Sequence, residues 1–326
     1  MIRKALAAAA TTLFLAGAAS AQQQPPPAAA PPPPPDFSKV EIKTTDLGDN
    51  VYMLEGQIPG SIGGNITVAV AQTGIIMVDG QFAPLHDKIK AAIATLSNLP
   101  IKYLINTHYH GDHTGGNESF AKDGVLVVAQ INVKNRLAAG TTNGLTGAKT
   151  APAQPGALPG DTYTNFSKVR LPGRVADLKH IANAHTDGDT YVWFKTANVL
   201  STGDTFTNGR YPNIDFANGG NIKGMIAAAD TYLKLVNPKT RIVPGHGPVA
   251  DKTVLTDYRT MLVTARDRMA KLVKEGKSED EVVAAKPFAD LDAKWAPTEL
   301  ASKNFIRVVY HSLADKADKK DAGKSS

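Results

Sequence analysis

The chain has 326 residues, of which 42% are hydrophobic and 20% are charged, so it can bury the core of one large domain or two small ones. Its formal net charge is +6, but no basic stripe with interleaved aromatic residues is present, so nucleic-acid binding is not expected. The chain contains no cysteine, which excludes disulfide bonds, cysteine metal ligands and a cysteine nucleophile.

The N-terminus has the pattern of a secretory signal peptide. A basic start at residues 1–4 precedes an apolar segment at residues 5–18, and Ala19-Ser20-Ala21 is a small-residue cleavage site. The apolar segment is too short to span a membrane comfortably. We therefore expect cleavage after residue 21, no stable membrane insertion of the mature chain, and a periplasmic or secreted protein. An uncleaved membrane anchor is the alternative.

Composition divides the rest of the chain into four parts. Residues 22–37 are nearly all Gln, Pro and Ala and predict a disordered linker. Residues 38–250 carry the strand and helix patterns of a main domain. Residues 251–315 predict a C-terminal helical extension that packs on this domain, and the charged residues 316–326 predict a disordered tail.

The first half of the main domain predicts short strands with intervening helices. The β-rich runs are Val51–Leu54, Ile66–Val70, Ile75–Val78, Ile101–Asn106 and Val125–Ala129, and the helical patterns are Pro84–Leu96 and Ile131–Ala139. A Gly-rich loop at residues 58–65 interrupts the first strands. Residues 140–161 form a long segment with few hydrophobic residues, which is typical of a functional or disordered loop and suits a substrate lid.

The second half repeats the β-rich pattern before the chain becomes helical. The predicted strands are Thr162–Leu171, Val175–Ile181, Tyr191–Phe194 and Val199–Ser201, and the predicted helices are Ile222–Val236, Leu255–Lys274, Glu279–Lys286 and Leu300–Leu313. Strands on both sides of the middle helices indicate two sheets packed face to face and covered by helices. We expect the C-terminal helices to serve mainly as packing.

The segment Thr107–Gly116 contains several potential metal ligands close together in the sequence. Its sequence, THYHGDHTGG, places three histidines and one aspartate between His108 and His113. It follows the predicted strand Ile101–Asn106, and a short helix can begin near Asn117, so the side chains lie on a strand-to-helix loop. Imidazole and carboxylate groups bind the same borderline cations, which favours a metal site over a solvated polar loop.

Three further candidates lie just past the ends of strand-like runs, where α/β folds usually place their sites. They are His185 in a polar turn, Asp204 after Val199–Ser201, and His246 in a Gly/Pro-rich loop after a short apolar strand. The complete candidate set of metal ligands is His108, His110, Asp112, His113, His185, Asp204 and His246.

The ligand motif and the order of the later candidates resemble those of the metallo-β-lactamase-fold hydrolase superfamily, as does Asp79 at the end of a strand. The resemblance covers roughly residues 40–250. It implies an α/β fold, a four-layer αβ/βα sandwich, with a dinuclear metal centre at one edge. It further implies that one metal is held by His108, His110 and His185, that the other is held by Asp112, His113 and His246, and that Asp204 bridges the two.

The residue at position 204 bears on the substrate. The best-known β-lactamases of this fold carry Cys at the position matched by Asp204, whereas Asp resembles the glyoxalase II-like and general hydrolase branches. The glutathione-binding tail of glyoxalase II is not recognisable in this chain. A β-lactam, a lactone or a thioester therefore all stay open as substrates.

The ligand chemistry predicts a zinc-dependent hydrolase of small molecules. Nitrogen and oxygen donors suit two Zn²⁺ ions, although Fe or Mn is possible. A metal-bridging hydroxide would attack a carbonyl, and Asp112 would orient it or pass a proton to the leaving group. Asp79 is expected to hydrogen-bond near a ligand. Arg210 and Lys223 are candidates to bind a substrate carboxylate, but surface solvation is the favoured interpretation of each.

Two alternatives use the same ligands. One is a di-iron redox enzyme of the same fold, and the other is a non-catalytic metal-binding exported protein, which would need no open coordination position. The remaining histidines, His86, His180 and His311, stand alone in helix or strand patterns and are predicted to be structural or solvated.

Overall fold

A computed structural model describes residues 36–57 and 63–322. The predicted signal peptide, linker residues 22–35, tail residues 323–326 and residues 58–62 of the Gly-rich loop lie outside the described residues. Phe37 belongs to the predicted linker, but in the structure it begins a short 3-10 helix, Phe37–Lys39, and its ring packs 5.2 Å from that of Phe82. The described chain is therefore folded from Asp36 onward.

The first sheet has seven strands. They are β1 (Glu41–Gly48), β2 (Val51–Gln57), β3 (Ile66–Val70), β4 (Ile75–Val78), β5 (Ile101–Asn106), β6 (Leu126–Gln130) and, after the small hairpin of β7 (Thr141–Thr142) and β8 (Lys149–Thr150), β9 (Asp161–Tyr163). The order is β1-β2-β3-β4-β5-β6-β9. Strands β1, β2, β3 and β4 pair antiparallel with one another in that order, and β4, β5, β6 and β9 run parallel.

The second sheet has five strands in sequential order. They are β10 (Phe166–Leu171), β11 (Arg174–Ile181), β12 (Asp189–Phe194), β13 (Val199–Ser201) and β14 (Arg241–Val243). The single strand predicted at Thr162–Leu171 is wrong, because β9 and β10 belong to different sheets. The carbonyl of Thr164 accepts a hydrogen bond from Gln130 of the first sheet, and that of Asn165 accepts one from His180 of the second. The chain crosses between the sheets at this point.

Nine helices are described within residues 36–57 and 63–322, in addition to short 3-10 turns. They are α1 (His86–Ala94), α2 (Gly111–Thr114), α3 (Asn117–Lys122), α4 (Ile131–Ala139), α5 (Ile222–Leu235), α6 (Lys252–Lys274), α7 (Glu279–Ala285), α8 (Ala289–Trp295) and α9 (Glu299–Ala322). Helix α8 was not predicted, and α9 continues past the predicted end at Leu313 into the predicted tail. Residues 314–322 contain mostly Ala, Lys and Asp, and the high helix propensity of Ala and Lys favours this continuation.

The alternation of side chains along each strand produces four layers. In β4, Ile76 and Val78 face a core that also contains Phe194 of the second sheet, whereas Ile75 and Met77 face a core shared with helix α1. The outer face of the second sheet packs on α5, α6 and α9. The predicted αβ/βα sandwich with a C-terminal helical extension is confirmed.

The topology places several strand ends at one edge of the sandwich. Strands β4 and β5 are parallel, as are β13 and β14, so Asp79, His108, Asp204 and His246 all follow carboxyl ends of paired strands. Such an edge is where open α/β sheets bind ligands. None of the described helices combines the length and apolar character needed to cross a membrane.

Candidate metal centre

All seven predicted ligands meet at this edge, in two groups. The first group is His108, His110, His185 and Asp204, and the second group is Asp112, His113 and His246; in each group the potential ligand atoms lie within 4.8 Å of one another. Asp204 contacts both groups. Its Oδ2 lies 3.7 Å from His185 Nε2 and 3.3 Å from His246 Nε2, and its Oδ1 lies 3.1 Å from His113 Nε2.

The polar atoms at the centre fit a metal site better than a hydrogen-bonded core. His108 Nε2 is buried without a hydrogen-bond partner among the described residues, and His113 Nε2 and Asp204 Oδ1 form no hydrogen bond although they lie 3.1 Å apart. Buried polar groups are nearly always hydrogen-bonded. Two ring nitrogens, His185 Nε2 and His110 Nδ1, face each other at 2.9 Å. A set of converging imidazole and carboxylate donors suits Zn, and also Fe or Mn.

The Asp79 carboxylate orients His113 of the second group by contacting the ring nitrogen opposite its potential ligand nitrogen. One of its carboxylate oxygens lies 2.8 Å from His113 Nδ1, and the carboxylate also accepts hydrogen bonds from the backbone N and the hydroxyl of Thr107. The same hydroxyl lies 3.1 Å from His108 Nδ1. A partner on the far nitrogen of an imidazole fixes the ring and directs its other nitrogen toward a metal. The structure agrees with the predicted position of Asp79.

The first group has different outer partners. His110 Nε2 lies 3.0 Å from Asp215 Oδ2, and His185 Nδ1 lies 2.8 Å from the carbonyl oxygen of Asn213. The Tyr109 hydroxyl donates to the same Asp215 oxygen. Asp215 and Tyr109 were not predicted as functional residues. The only available signal for Asp215 was its position in the loop that follows Asp204.

Burial sets the protonation of the first group. It lowers the pKa of His185 to about 4, and it lowers the pKa of His108 well below its usual value, with a further contribution from the charge of nearby His113. A neutral imidazole is the form that binds a metal. These two rings are therefore ready to act as ligands at neutral pH.

The second group consists of charged pairs in the metal-free protein. Burial, the largest single effect, lowers the pKa of His246, but the Asp204 and Asp112 carboxylates together raise it to about 9. Burial likewise lowers the pKa of His113, and Asp112 and Asp204 raise it well above its ordinary range. Burial raises the pKa of Asp204, but His246 and His113 hold it well below its usual value. The protons on these histidines must leave when a metal binds.

The described end of the Gly-rich loop borders the second group. A Cβ atom on Gly64 would collide with the His113 imidazole, so only glycine permits this approach. The side chain of Asn65 donates to the carbonyl oxygens of Pro244 and Gly247 at 2.9 and 2.8 Å. These contacts hold the loop beside the histidine at position 246.

The remaining candidates have partners outside the centre. His86 contacts Asp87 and Asp123, His180 contacts the Asp189 carbonyl, and His311 contacts Glu279. None of the three belongs to either ligand group, in agreement with the predicted structural role. Lys223 is exposed at the start of α5, and Arg210 is half-buried. Solvation remains the favoured interpretation of both side chains.

The fold and the His/Asp centre define a class of α/β metal-binding hydrolases. The family model of the metallo-beta-lactamase superfamily matches residues 59–246, more than half of the chain, and this chain belongs to that superfamily.

Two curated relatives are similar over most of the chain. A hydroxyacylglutathione hydrolase of Nitrosococcus oceani is 29% identical over 220 residues, which is 66% of this chain and 73% of the relative. A beta-lactamase-like protein 2 homolog of Caenorhabditis elegans is 26% identical over 278 residues, 82% of this chain and 85% of the relative. The name of the first is that of a hydrolase, and the name of the second states a likeness to beta-lactamases.

Solved structures support the fold. A metallo-beta-lactamase from Pontibacter korlensis superimposes with a TM-score of 0.57 at 18% identity, covering 68% of this chain and 99% of the other. The DIM-1 metallo-beta-lactamase superimposes with a TM-score of 0.58 at 17% identity, covering 70% of this chain and 100% of the other. The C-terminal helices lie beyond the residues matched by the family model.

Proposed function

We propose that this chain is an exported, dinuclear zinc-dependent hydrolase that cleaves a carbonyl substrate, namely a β-lactam, a lactone or a thioester. The observation that carries the proposal is the pair of ligand groups joined by Asp204, which contacts histidines of both groups at 3.1 to 3.7 Å. The relatives named as a hydroxyacylglutathione hydrolase and as metallo-beta-lactamases support hydrolysis without choosing among these substrates.

The residues would divide the metal binding between them. His108, His110 and His185 would hold one zinc, Asp112, His113 and His246 would hold the other, and Asp204 would contact both. Two zinc ions supply Lewis acidity and make water a strong nucleophile near neutral pH. With this chemistry available, no serine or cysteine nucleophile is required.

Asp112 is the proposed proton-transfer group. Its Oδ2 lies 3.3 Å from His246 Nε2 and 3.5 Å from His113 Nε2. Its side chain is 21% exposed, whereas that of His113 is fully buried. A carboxylate that is both held by the centre and accessible can orient water and deliver a proton to the leaving group.

Asp79 and Asp215 have a supporting role in this mechanism. Each contacts the imidazole nitrogen that points away from the centre, on His113 and His110 respectively. They keep the rings in one orientation and favour the tautomer whose other nitrogen is free to bind a metal. Pre-positioned ligands reduce the rearrangement needed when a metal enters.

The setting is proposed to be the periplasm or the outside of the cell. The basic start, apolar segment and Ala19-Ser20-Ala21 site at the N-terminus support export and cleavage. The partner is then an extracytoplasmic small molecule and not nucleic acid. N-terminal sequencing of the exported protein should begin at Gln22, and a membrane-bound form that keeps Met1 would contradict this part of the proposal.

Metal analysis combined with a substrate panel tests the function. Protein from zinc-replete cells, purified without chelator, should contain two zinc ions per chain. It should hydrolyse at least one of a chromogenic β-lactam, a lactone and a thioester. A chelator should abolish the activity, and added zinc should restore it. One metal or none would contradict the dinuclear centre, and two iron ions without hydrolysis would favour the redox alternative.

A further inference from the structure

A cavity with a volume of about 350 Å³ lies beside the metal centre and is not explained by metal binding. Its walls come from the loop around His110, from helix α4, from the 140–157 part of the long segment, and from Asp215 and Asn218. Pockets for small molecules usually measure about 300–1,000 Å³ and combine apolar walls with a few polar groups. The cavity has the size of such a pocket.

The cavity borders the metal centre at His110 and Gly111, which line it. His110 also belongs to the first ligand group. Gly111 is exposed, and a Cβ atom at this position would have no neighbour within 4 Å. Position 111 lies in the loop that carries His110, where this loop borders the cavity. Because Gly111 has no side chain, it does not block a molecule that extends from the metals into the cavity.

The inner lining is small and apolar, and the rim is polar and uncharged. Leu137, Ala153 and Ala157 contribute the apolar part. Asn143 and Thr150 are exposed lining residues. The Asn143 Oδ1 accepts hydrogen bonds from the backbone within its own turn, so its NH₂ group remains available to a ligand in this part of the described chain.

The cationic side chain of the lining already has a carboxylate partner. The guanidinium nitrogens of Arg136 donate to both carboxylate oxygens of Asp187 and to Asn218. The Asp215 carboxylate, which interacts with His110 and Tyr109, adds negative charge to the lining. A carboxylate in the cavity would have no unpaired cation in the lining as its partner, and burial of an unpaired charge is costly. The lining therefore favours an uncharged ligand over a carboxylate.

We propose that this cavity is a substrate subsite that receives an uncharged arm, with an amide or hydroxyl group and a short apolar portion. The proposal rests on the proposed hydrolase function, because the arm is the part of the carbonyl substrate that extends past His110. The segment at residues 140–157 then selects substrates by the size and charge of this arm.

Direct binding of arm-only probes tests the subsite without requiring hydrolysis. The probes are N-methyl-phenylacetamide, which is uncharged, and its analogue with a carboxylate on the ring, measured by ligand-detected NMR on the zinc-loaded mature protein. A dissociation constant on the order of 1 mM is expected for the neutral probe, given its size. The carboxylate analogue should bind at least about 10-fold more weakly.

Two alanines of the same segment give a matched pair of variants. Ala153→Phe fills the cavity and should abolish binding of the neutral probe. Ala148→Phe makes the same change at an exposed position that does not line the cavity and should leave binding unchanged. If Ala153→Phe does not fold, as judged by its melting curve, Thr150→Trp at the rim replaces it. Unchanged binding in the folded cavity variant would overturn the subsite.

Kinetic measurements test the subsite separately from the proposed hydrolase function. For a penicillin with a phenylacetamide arm, Ala153→Phe should raise KM by about 10-fold or more, the fold expected for the loss of a small pocket contact. It should not change KM for 6-aminopenicillanic acid, which lacks the arm. The neutral probe could bind, with binding abolished by Ala153→Phe, while no lactam, lactone or thioester is hydrolysed. That result would support the subsite and contradict the proposed hydrolase function. Equal binding of both probes would overturn the uncharged assignment.

Discussion

The two ligand groups are supported by different parts of the molecule. In the second group, His113 is oriented by Asp79, which follows strand β4 in the core of the sandwich. In the first group, His110 and His185 are oriented by the loop between Asp204 and α5, through Asp215 and the Asn213 carbonyl. The second group thus depends on a sheet, whereas the first depends on a loop except at His108, which Asp79 supports through the Thr107 hydroxyl.

The C-terminal helices hold this loop in place. The backbone N of Tyr211 donates to the carbonyl oxygen of Trp295 at 2.7 Å, and the Tyr211 ring stacks on Phe305 at 4.1 Å. Phe216 stacks on His311 at 4.6 Å, next to Asp215. An extension that lies beyond the matched residues 59–246 therefore supports the first ligand group. The comparison predicts that the two metals respond to different substitutions.

The largest effect is expected where the two groups meet. Asp204→Ala removes the one carboxylate that contacts both groups, so both metals should bind more weakly and kcat/KM should fall by more than the ~10–100-fold typical of outer partners. Metal content, kinetics and circular dichroism check the outcome. Near-normal turnover with two metals bound would show that Asp204 does not link the groups.

The second-largest effect should distinguish the metals of the two ligand groups. Asp215→Ala removes the partner of His110, and Asp79→Ala removes the partner of His113. Asp215→Ala should weaken the first metal about 10–100-fold and leave the second nearly unchanged, as measured by stepwise competition with a coloured chelator. Asp79→Ala should weaken the second metal by a similar factor and the first metal less, because Asp79 reaches His108 only through the Thr107 hydroxyl. Asp230→Ala is the control, because Asp230 pairs with Arg259 and belongs to neither ligand group, so both metals should stay bound. If Asp79→Ala weakens the first metal as strongly as the second, the two supports are not separate.

A smaller effect on the metals should follow from loosening the C-terminal support. Phe305→Ala should lower the free energy of unfolding by about 3–5 kcal/mol, as expected for a buried aromatic, and should weaken the first metal less than Asp215→Ala does. Phe194→Ala, in the core between the sheets, should cost similar stability without a selective effect. Equal weakening of both metals by Phe305→Ala would contradict the proposed support.

The smallest effect is expected at the His311 stack. His311→Ala removes the stacking on Phe216 and a contact with Glu279. Stacked aromatic pairs contribute about 0.5–1.5 kcal/mol, so unfolding should become easier by about that amount while both metals stay bound. Denaturant unfolding and metal analysis check this result. Loss of a metal would mean that the stack positions Asp215 directly.

The candidate ligands could be selected before the structure because they stand in local patterns. His108 to His113 lie within one short loop, and His185, Asp204 and His246 each follow a strand-like run. Parallel pairing then brings those ends to one edge. Helix α4 agrees with its predicted bounds, since its apolar period is clear and Gly140 ends it.

Other features had no local signal. Helix α8 has seven residues and no side-chain N-cap, whereas the equally short α7 begins with a capping box at Ser278, which is a signal in the sequence. The division of Thr162–Leu171 between two sheets depends on partners, because β9 pairs with β6 and β10 pairs with β11. Strand propensity predicts that such a run has an extended backbone, but it does not predict which sheet the run joins.

The sequence by itself determined two facing sheets covered by helices and a set of candidate ligands, because alternating apolar side chains and strand ends are short-range patterns. Only the tertiary structure decided which group faces the far nitrogen of each imidazole and which helices support the loop. His110 and Asp215 are 105 residues apart, and Asp215 lies in an irregular loop without period. Such contacts arise when packing of the C-terminal helices positions the loop, so no local pattern in the chain can specify them.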